Sequence, residues 1–289
     1  MQNRYPEDSG PQFPDGGQGA GGGVRFALPP LTPITKKLMI INVAIFFAAW
    51  LLNLISPEAK EAVYSPLSLN PAQWKSWFPF LPVWQLVTSG FLHSTYQLTH
   101  VFWNMLQLYF FGTMLEAAVG SRRFLTTYIG ALLAGSFLHL FVSFASATPV
   151  PSLGASGAVL GVVVAMATLR PHTKVILFVI PVKLMYLAGF IVLYDLMTAV
   201  SNLRTGGSDG VAHWVHLGGA LFGFLTVRLG WIRIDWLERF RARRLVANEQ
   251  ERRENHLKMD VLLEKIHREG MSALTKAERA FLKRASSRK

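Results

Sequence analysis

The chain has 289 residues, 51% of them hydrophobic and only 16% charged, with no cysteine and a formal net charge of +12. A soluble domain of this length carries about 25% charged residues. The composition therefore argues against an ordinary soluble protein, and the lack of cysteine excludes a disulfide framework, a thiol nucleophile and a cysteine-based metal site.

Residues 1–33 are rich in Gly, Pro and Gln and lack the apolar core of a signal peptide, so they read as a disordered tail. Six apolar segments follow, at 38–55, 99–118, 124–145, 153–169, 184–200 and 212–230. Each approaches the roughly 20 residues needed to cross a hydrocarbon core of about 30 Å. They are apolar nearly all round, which suits lipid or complete burial rather than a half-wetted face. The segment 56–98 reads as a long outer loop, with Trp74, Trp77, Phe78, Phe80 and Trp84 either partly embedded or forming an interfacial belt.

Lys36, Lys37, Arg122, Arg123, Arg170, Lys174, Lys183 and the arginines after Gly230 fall on one side of a six-span chain. That side is expected to be cytoplasmic and to hold both termini. From Trp231 onward there are 16 Lys and Arg against 9 Asp and Glu, +7 of the total. Such a tail fits the cytoplasmic face of a membrane protein better than nucleic-acid binding. It divides into a charged helical extension, 233–254, and a helical hairpin, 255–289. Leu257, Val261, Leu262 and Ile266 recur at helical spacing. Gly270 is placed to stop the first helix, and Thr275 with Glu278 forms a capping box for a second one carrying Phe281 and Leu282. This hairpin reads as an interaction or regulatory element rather than a catalytic one, with a cytoplasmic partner among the expected partners.

Polar groups inside a bilayer are costly and mark candidate sites. His100 and Asn104 are four residues apart on the second span. Gly154, Ala155, Ser156 and Gly157 open the fourth. His213 and His216 lie early on the sixth. All three spans enter from the outer side, which puts these groups within about 8 Å of the outer ends at 1.5 Å per residue. Gly157 with Gly161 and Gly219 with Gly223 are spaced to let two helices meet closely. Helices four and six packed through these faces would bring Ser156 to His216. Serine needs a base to become a nucleophile, and histidine is the usual one near neutral pH. The first-turn amides of span four, with His100 and Asn104, could hold an oxyanion. Glu116 and Asp195 read as lying toward the inner ends of their spans, so the expected machinery is a Ser156–His216 dyad without a carboxylate. His213 reads as structural or supporting. His93 is unassigned, and His139 and Asp195 have no evident partner.

These motifs together resemble the rhomboid proteases: G-x-S-G at Gly154–Gly157, H-x-x-x-N at His100–Asn104, H-x-x-G-x-x-x-G at His216, Gly219 and Gly223, and Glu116-x-x-x-Gly120-Ser121. The likeness runs from about Leu38 to Gly230. It implies an all-α polytopic membrane protein, a six-helix rhomboid-like bundle over 34–232 with a small cytoplasmic helical tail. It also implies an intramembrane serine endopeptidase with catalytic Ser156 and His216, and an oxyanion site of His100, Asn104 and the Ser156 amide. Gly154, Gly157, Gly161, Gly219 and Gly223 would support that site. No metal and no cofactor are implied. The expected partners are transmembrane protein substrates, cut near their outer ends, and the lipid bilayer. The expected location is a bacterial plasma membrane. The segment 260–286 also resembles a C-terminal module of some bacterial rhomboids. Three positions depart from the best-known bacterial pattern: Leu160 stands where a ring often stacks on the histidine, Gln85 where an arginine follows the tryptophan, and Val164 where a glycine is common. An inactive rhomboid-like binder and a small-solute transporter are the competing readings. Both members of the dyad are present, and there is no convincing repeat to support the transporter.

Overall fold

The structure is a computed structural model that describes residues 29–145, 150–177, 180–207, 209–233 and 236–270, with 273–275, 278, 279 and 282 beyond them. Most of the Gly/Pro-rich tail (1–28) and Phe281 lie outside the described residues. The chain forms two compact units, Met1–Ile234 and Asp235–Lys289.

The first unit is a helical bundle. Helix α1 (Pro33–Ile55) begins with proline, whose missing N–H costs nothing at a first turn. The next two first-turn amides, Ile34 and Thr35, donate to the Glu116 carboxylate at 3.0 and 2.8 Å, and the Ser121 hydroxyl donates to the same group at 2.6 Å. A negative charge is favoured at a helix N-terminus, so Glu116 ties the start of α1 to the far end of the second helical segment. Short helices α2 (Pro57–Leu67), α3 (Pro71–Ser76) and α4 (Gln85–Thr88) build the loop that follows. Trp74 is buried there, and its indole N–H donates to Gln85; Trp77, Phe78, Phe80 and Trp84 are exposed.

Gln85 itself is wholly buried. Its carbonyl accepts from the Asn70 amide and from Trp74, and its NH2 donates to Gln73 and to the Pro66 carbonyl. A neutral amide with donor and acceptor both matched can be buried at little cost. This accounts for glutamine at the position after Trp84.

The second helical stretch runs through α5 (Leu98–Gln107), a π-helical turn (Leu108–Gly112) and α6 (Thr113–Val119). Gly120, at φ +85°, turns the chain directly into α7 (Ser121–Ala145). Helix α8 (Ser156–Leu169) is the centre of the bundle, with every residue from Gly157 to Ala167 buried. A two-stranded antiparallel ribbon, β1 (Lys174–Leu177) and β2 (Ile180–Lys183), joins α8 to α9 (Leu184–Thr205). The helical pattern of the sequence gave no sign of this ribbon. Helix α9 continues five residues past the expected end at 200 and stops at Gly206, whose φ of +67° is left-handed. Helix α10 (His213–Arg228) completes the bundle.

Among the described residues, three helices, α1, α7 and α9, are long and apolar enough to cross a membrane. The α8 helix is shorter: its 14 residues rise about 21 Å, less than the roughly 30 Å of a hydrocarbon core. The backbone at 150–155, just before Ser156, is non-helical, and inside a membrane bundle such backbone is tolerated only when protein encloses it and its polar groups are matched. Both conditions are met. Ser152 and Leu69 exchange two backbone hydrogen bonds of 2.9 Å, and the Gly154 amide donates to the Ser89 carbonyl at 2.9 Å. The fourth span was expected to become helical at 153, but the helix begins at Ser156 itself, leaving the serine amide in the first turn.

In the second unit, α11 (Trp236–Glu269) is a single helix of 34 residues, so the boundary expected between 254 and 255 falls inside it. It stops at Gly270, at φ +82°. Beyond it the capping box forms: the Thr275 amide donates to Glu278 at 2.6 Å, and the Glu278 amide to the Thr275 hydroxyl at 3.3 Å. Leu262 and Leu274 are buried in this unit, while Leu257 and Val261 are exposed.

Candidate active site

Close helix packing creates the site. A β-carbon on Gly219 would fall 2.0 Å from the Gly157 carbonyl oxygen, and one on Gly223 would fall 2.0 Å from that of Gly161. Both glycine pairs therefore bring α8 and α10 into backbone contact. Helix α7 closes on the other flank, where a β-carbon on Gly218 would meet the Ala134 carbonyl at 2.6 Å. Because the obstacle is backbone rather than a flexible side-chain tip, a Gly219→Ala variant must push α10 off α8. Overpacking of this kind costs about 1–3 kcal/mol, and a shift of about 1 Å at the reacting atoms can cost 10²-fold in rate. Both effects are expected in this variant, measured as a lowered unfolding temperature and a slowed cleavage of a single-span substrate.

With the helices so placed, Ser156 Oγ lies 2.7 Å from His216 Nε2. The opposite nitrogen, His216 Nδ1, lies 2.9 Å from Asp195 Oδ1. Asp195, which the sequence left without an evident partner, thus meets the imidazole that faces Ser156. Helix α9 runs opposite to α8 and α10 and extends to Thr205, so Asp195, in its middle, is level with the first turn of α10 rather than toward the other end. Asp195 is also the partner of His213, whose Nδ1 meets the same Oδ1, and His213 Nε2 lies 2.9 Å from Asp209 Oδ2. The signal was present in the sequence: an acid inside an apolar span demands a partner. The missing ring at Leu160 falls into place here too. Leu160 is buried, and His216 is held by Asp195 and by the edge of the His213 ring, with centroids 6.0 Å apart. Val164 is likewise a buried core residue of α8.

Opposite Ser156, Gly154 has φ +129°, a conformation that disfavours side chains. The spot where its β-carbon would stand is 2.8 Å from His100 Nε2 and 3.6 Å from Ser156 Oγ. Glycine thus keeps open a small gap bounded by an imidazole nitrogen and the serine hydroxyl, beside the first-turn amide of α8. Asn104 is buried, and its Nδ2 donates to the His100 carbonyl at 2.9 Å, leaving one amide N–H to give. His139, which the sequence left without a partner, meets the Val150 carbonyl through Nε2 at 2.9 Å.

His93 packs its ring against that of His100, with centroids 5.2 Å apart, and is wholly buried. Burial first, and the neighbouring His100 second, push its imidazole down to about 4. The folded loop therefore resists a proton that the unfolded chain accepts near 6.5. Stability is complete above about pH 6.5 and falls as the pH drops toward 4, by about 3 kcal/mol in all. Thermal unfolding of the purified protein between pH 7 and 4 should show this loss, and His93→Gln should flatten it.

Among the described residues, Asp195, His213 and His216 bring three potential metal-donor atoms within 4.8 Å of one another.

A helical membrane bundle whose centre aligns a serine hydroxyl, an imidazole and a carboxylate defines a class: membrane proteins with the constellation of serine hydrolases. Residues 81–233, just over half of the chain, match the Rhomboid domain. Rhomboid protein 1, mitochondrial, of Saccharomyces cerevisiae is 32% identical over 242 residues, covering 75% of this chain and 68% of that protein. The chain belongs to the rhomboid family. It is also 32% identical over 164 residues to RHOMBOID-like protein 12, mitochondrial, of Arabidopsis thaliana, covering 52% of this chain and 46% of that one. The human presenilin-associated rhomboid-like protein, mitochondrial, is 29% identical over 161 residues, covering 53% and 41%. The chain thus spans less than half the length of the latter two relatives. Membership supports intramembrane proteolysis by a multi-pass membrane protein. Residues 248–288 match a family of unknown function (DUF6576).

Proposed function

We propose that this protein is an intramembrane serine endopeptidase in which Ser156 is the nucleophile, His216 the general base and Asp195 the group that orients the base. The observation that carries this reading is the series Asp195 Oδ1–His216 Nδ1 and His216 Nε2–Ser156 Oγ, at 2.9 and 2.7 Å. Asp195, as a carboxylate, accepts a hydrogen bond from Nδ1–H, which holds the ring proton on that nitrogen and leaves Nε2 bare to take the proton of Ser156. The serine oxygen adds to a peptide carbonyl, and the oxyanion enters the gap at Gly154. The Ser156 amide, His100 Nε2 and the remaining Asn104 N–H supply donors there. The protonated His216 then gives its proton to the departing amine. Water, activated by the same histidine, releases the acyl group and restores the serine.

Proposed substrates are transmembrane segments of other proteins, cut near their outer ends, because the reacting groups lie where α8 and α10 begin. Both termini are proposed to lie in the cytoplasm, on the side where the Lys and Arg residues of the sequence collect. The bacterial plasma membrane remains the proposed compartment on the sequence reading; the relatives named above are mitochondrial, and they support a multi-pass membrane protein and not that compartment. The C-terminal unit is proposed to meet a cytoplasmic partner. Cleavage of a single-span model substrate by the purified protein, compared with Ser156→Ala, tests the central assignment. A variant as active as the wild type would overturn it.

A further inference from the structure

The hydrogen-bonded series does not end at Asp195. His213 Nδ1 meets Asp195 Oδ1, and His213 Nε2 meets Asp209 Oδ2 at 2.9 Å, so one ring bridges two carboxylates. We propose that His213 is a positioning residue of the hydrolytic site: an imidazolium held between Asp195 and Asp209 that fixes the shared carboxylate and limits how strongly Asp195 draws a proton onto His216. This inference rests on the proposed hydrolytic function.

Donor and acceptor chemistry carries it. An ionised carboxylate only accepts hydrogen bonds, and a neutral imidazole has one N–H. Two carboxylates facing both nitrogens of one ring therefore call for a proton on each. His216 is in the opposite situation: its Nδ1 faces the Asp195 carboxylate and its Nε2 faces a hydroxyl that can donate, which is satisfied by the neutral ring. Asp195 Oδ1 then accepts two N–H bonds, one from each histidine, and its charge is shared between them.

The other polar and titratable groups around the pair are few. Helix α9 contributes Asp195, the ring of Tyr194, 6.3 Å from that of His213, and Asn202, whose Nδ2 donates to Asp209 Oδ1 at 3.2 Å. The connection to α10 contributes Asp209. Partial burial would raise the Asp209 carboxyl, but the His213 N–H and the Val211 amide outweigh it and hold it below the usual carboxylate range. Helix α8 contributes Ser156, and α5 contributes His100 across the Gly154 gap. Helix α7 contributes His139, which with His213 lines a cavity of about 250 Å³. Asp209 is part-exposed, at 38% for its side chain against 3% for that of His213. The imidazolium is therefore buried against one carboxylate and linked to solvent through the other.

The test uses the full-length protein in detergent or liposomes, with kcat/KM for a single-span substrate followed against pH. The rings of His213 and His216 are 6.0 Å apart. A unit charge at that distance displaces a neighbour's titration by about 0.5 pH units in a water-like medium and about 2 at an effective dielectric of 20. His213→Gln keeps a donor toward Asp195 and removes the cation. Its acidic limb should move to higher pH by about 0.5–2 units, whereas Asp195→Asn should move it to lower pH. A second measurement needs neither variant: 15N NMR of the wild type at pH 7 should show both ring nitrogens of His213 protonated. Unmoved limbs, or His213→Gln shifting the same way as Asp195→Asn, would overturn the proposal, as would a bare His213 nitrogen at pH 7. If His213→Gln does not fold, the 15N result decides. A wild type that cleaves nothing defeats the hydrolytic reading, while the 15N spectrum still reports separately on the imidazolium.

Discussion

Ser156→Ala is expected to lower the cleavage rate of a single-span substrate by a factor on the order of 10⁴ or more. The loss is in kcat, because the hydroxyl makes the new bond and contributes little to holding the substrate. His216→Ala should cost about as much, since at neutral pH a serine without a base 2.7 Å away remains a poor nucleophile. The two groups act as one unit, so the double variant should be no slower than either single one. Neither change opens a large cavity: both side chains are only partly buried, and the glycine contacts that join α8 to α10 are untouched. The unfolding temperature should stay within a few degrees of wild type, which separates loss of chemistry from loss of fold. Cleavage within tenfold of wild type in either single variant would remove that residue from the mechanism.

Asp195→Asn is expected to lower kcat by about 10²- to 10⁴-fold with little change in KM. The substitution is nearly isosteric, so packing is preserved and the chemistry is isolated. An asparagine that presents its NH2 to the two Nδ1 atoms would meet bare nitrogens rather than N–H groups. His216 would then carry its proton on Nε2, facing Ser156, where it cannot act as a base. If instead the amide oxygen faces the rings, geometry survives but the charge that stabilises the protonated His216 is gone. Either way the rate falls while substrate binding, made elsewhere, is retained. The measurement is steady-state cleavage with an unfolding curve beside it. A variant within threefold of wild type would show that the dyad expected from the sequence suffices and that Asp195 serves packing alone.

Much of the architecture was legible because its causes are local. Apolar runs located α1, α7, α8, α9 and α10 and the interrupted helix α5–α6, since hydrophobic length needs no knowledge of neighbours. Gly270 and the Thr275–Glu278 capping box ended and restarted helices where expected, because capping chemistry lies within a few residues of the break. The two G-x-x-x-G pairs even indicated which helices meet. The β1–β2 ribbon was not legible, since four-residue strands carry no lasting period. The extension of α9 to Thr205 was missed because polar residues near a helix end are tolerated once apolar burial is no longer required.

The sequence by itself singled out the proposed reacting pair. Ser156 and His216 each occupy the start of a helix, and small-residue faces leave those helices one close way to pack. What only the tertiary structure decided is what holds His216 in line. Leu160 offers no ring, and the partner of His216 Nδ1 is Asp195, 21 positions before the histidine, on a helix that runs the other way. Sequence spacing ranks residues by distance along the chain, whereas a hydrogen bond depends on depth in the bundle, and depth is set by where α9 ends and how the 206–212 connection returns the chain. The same return brings Asp209 onto His213 and turns a pair of histidines into a charged series. Its carboxylates were visible in the sequence as residues, but not as partners.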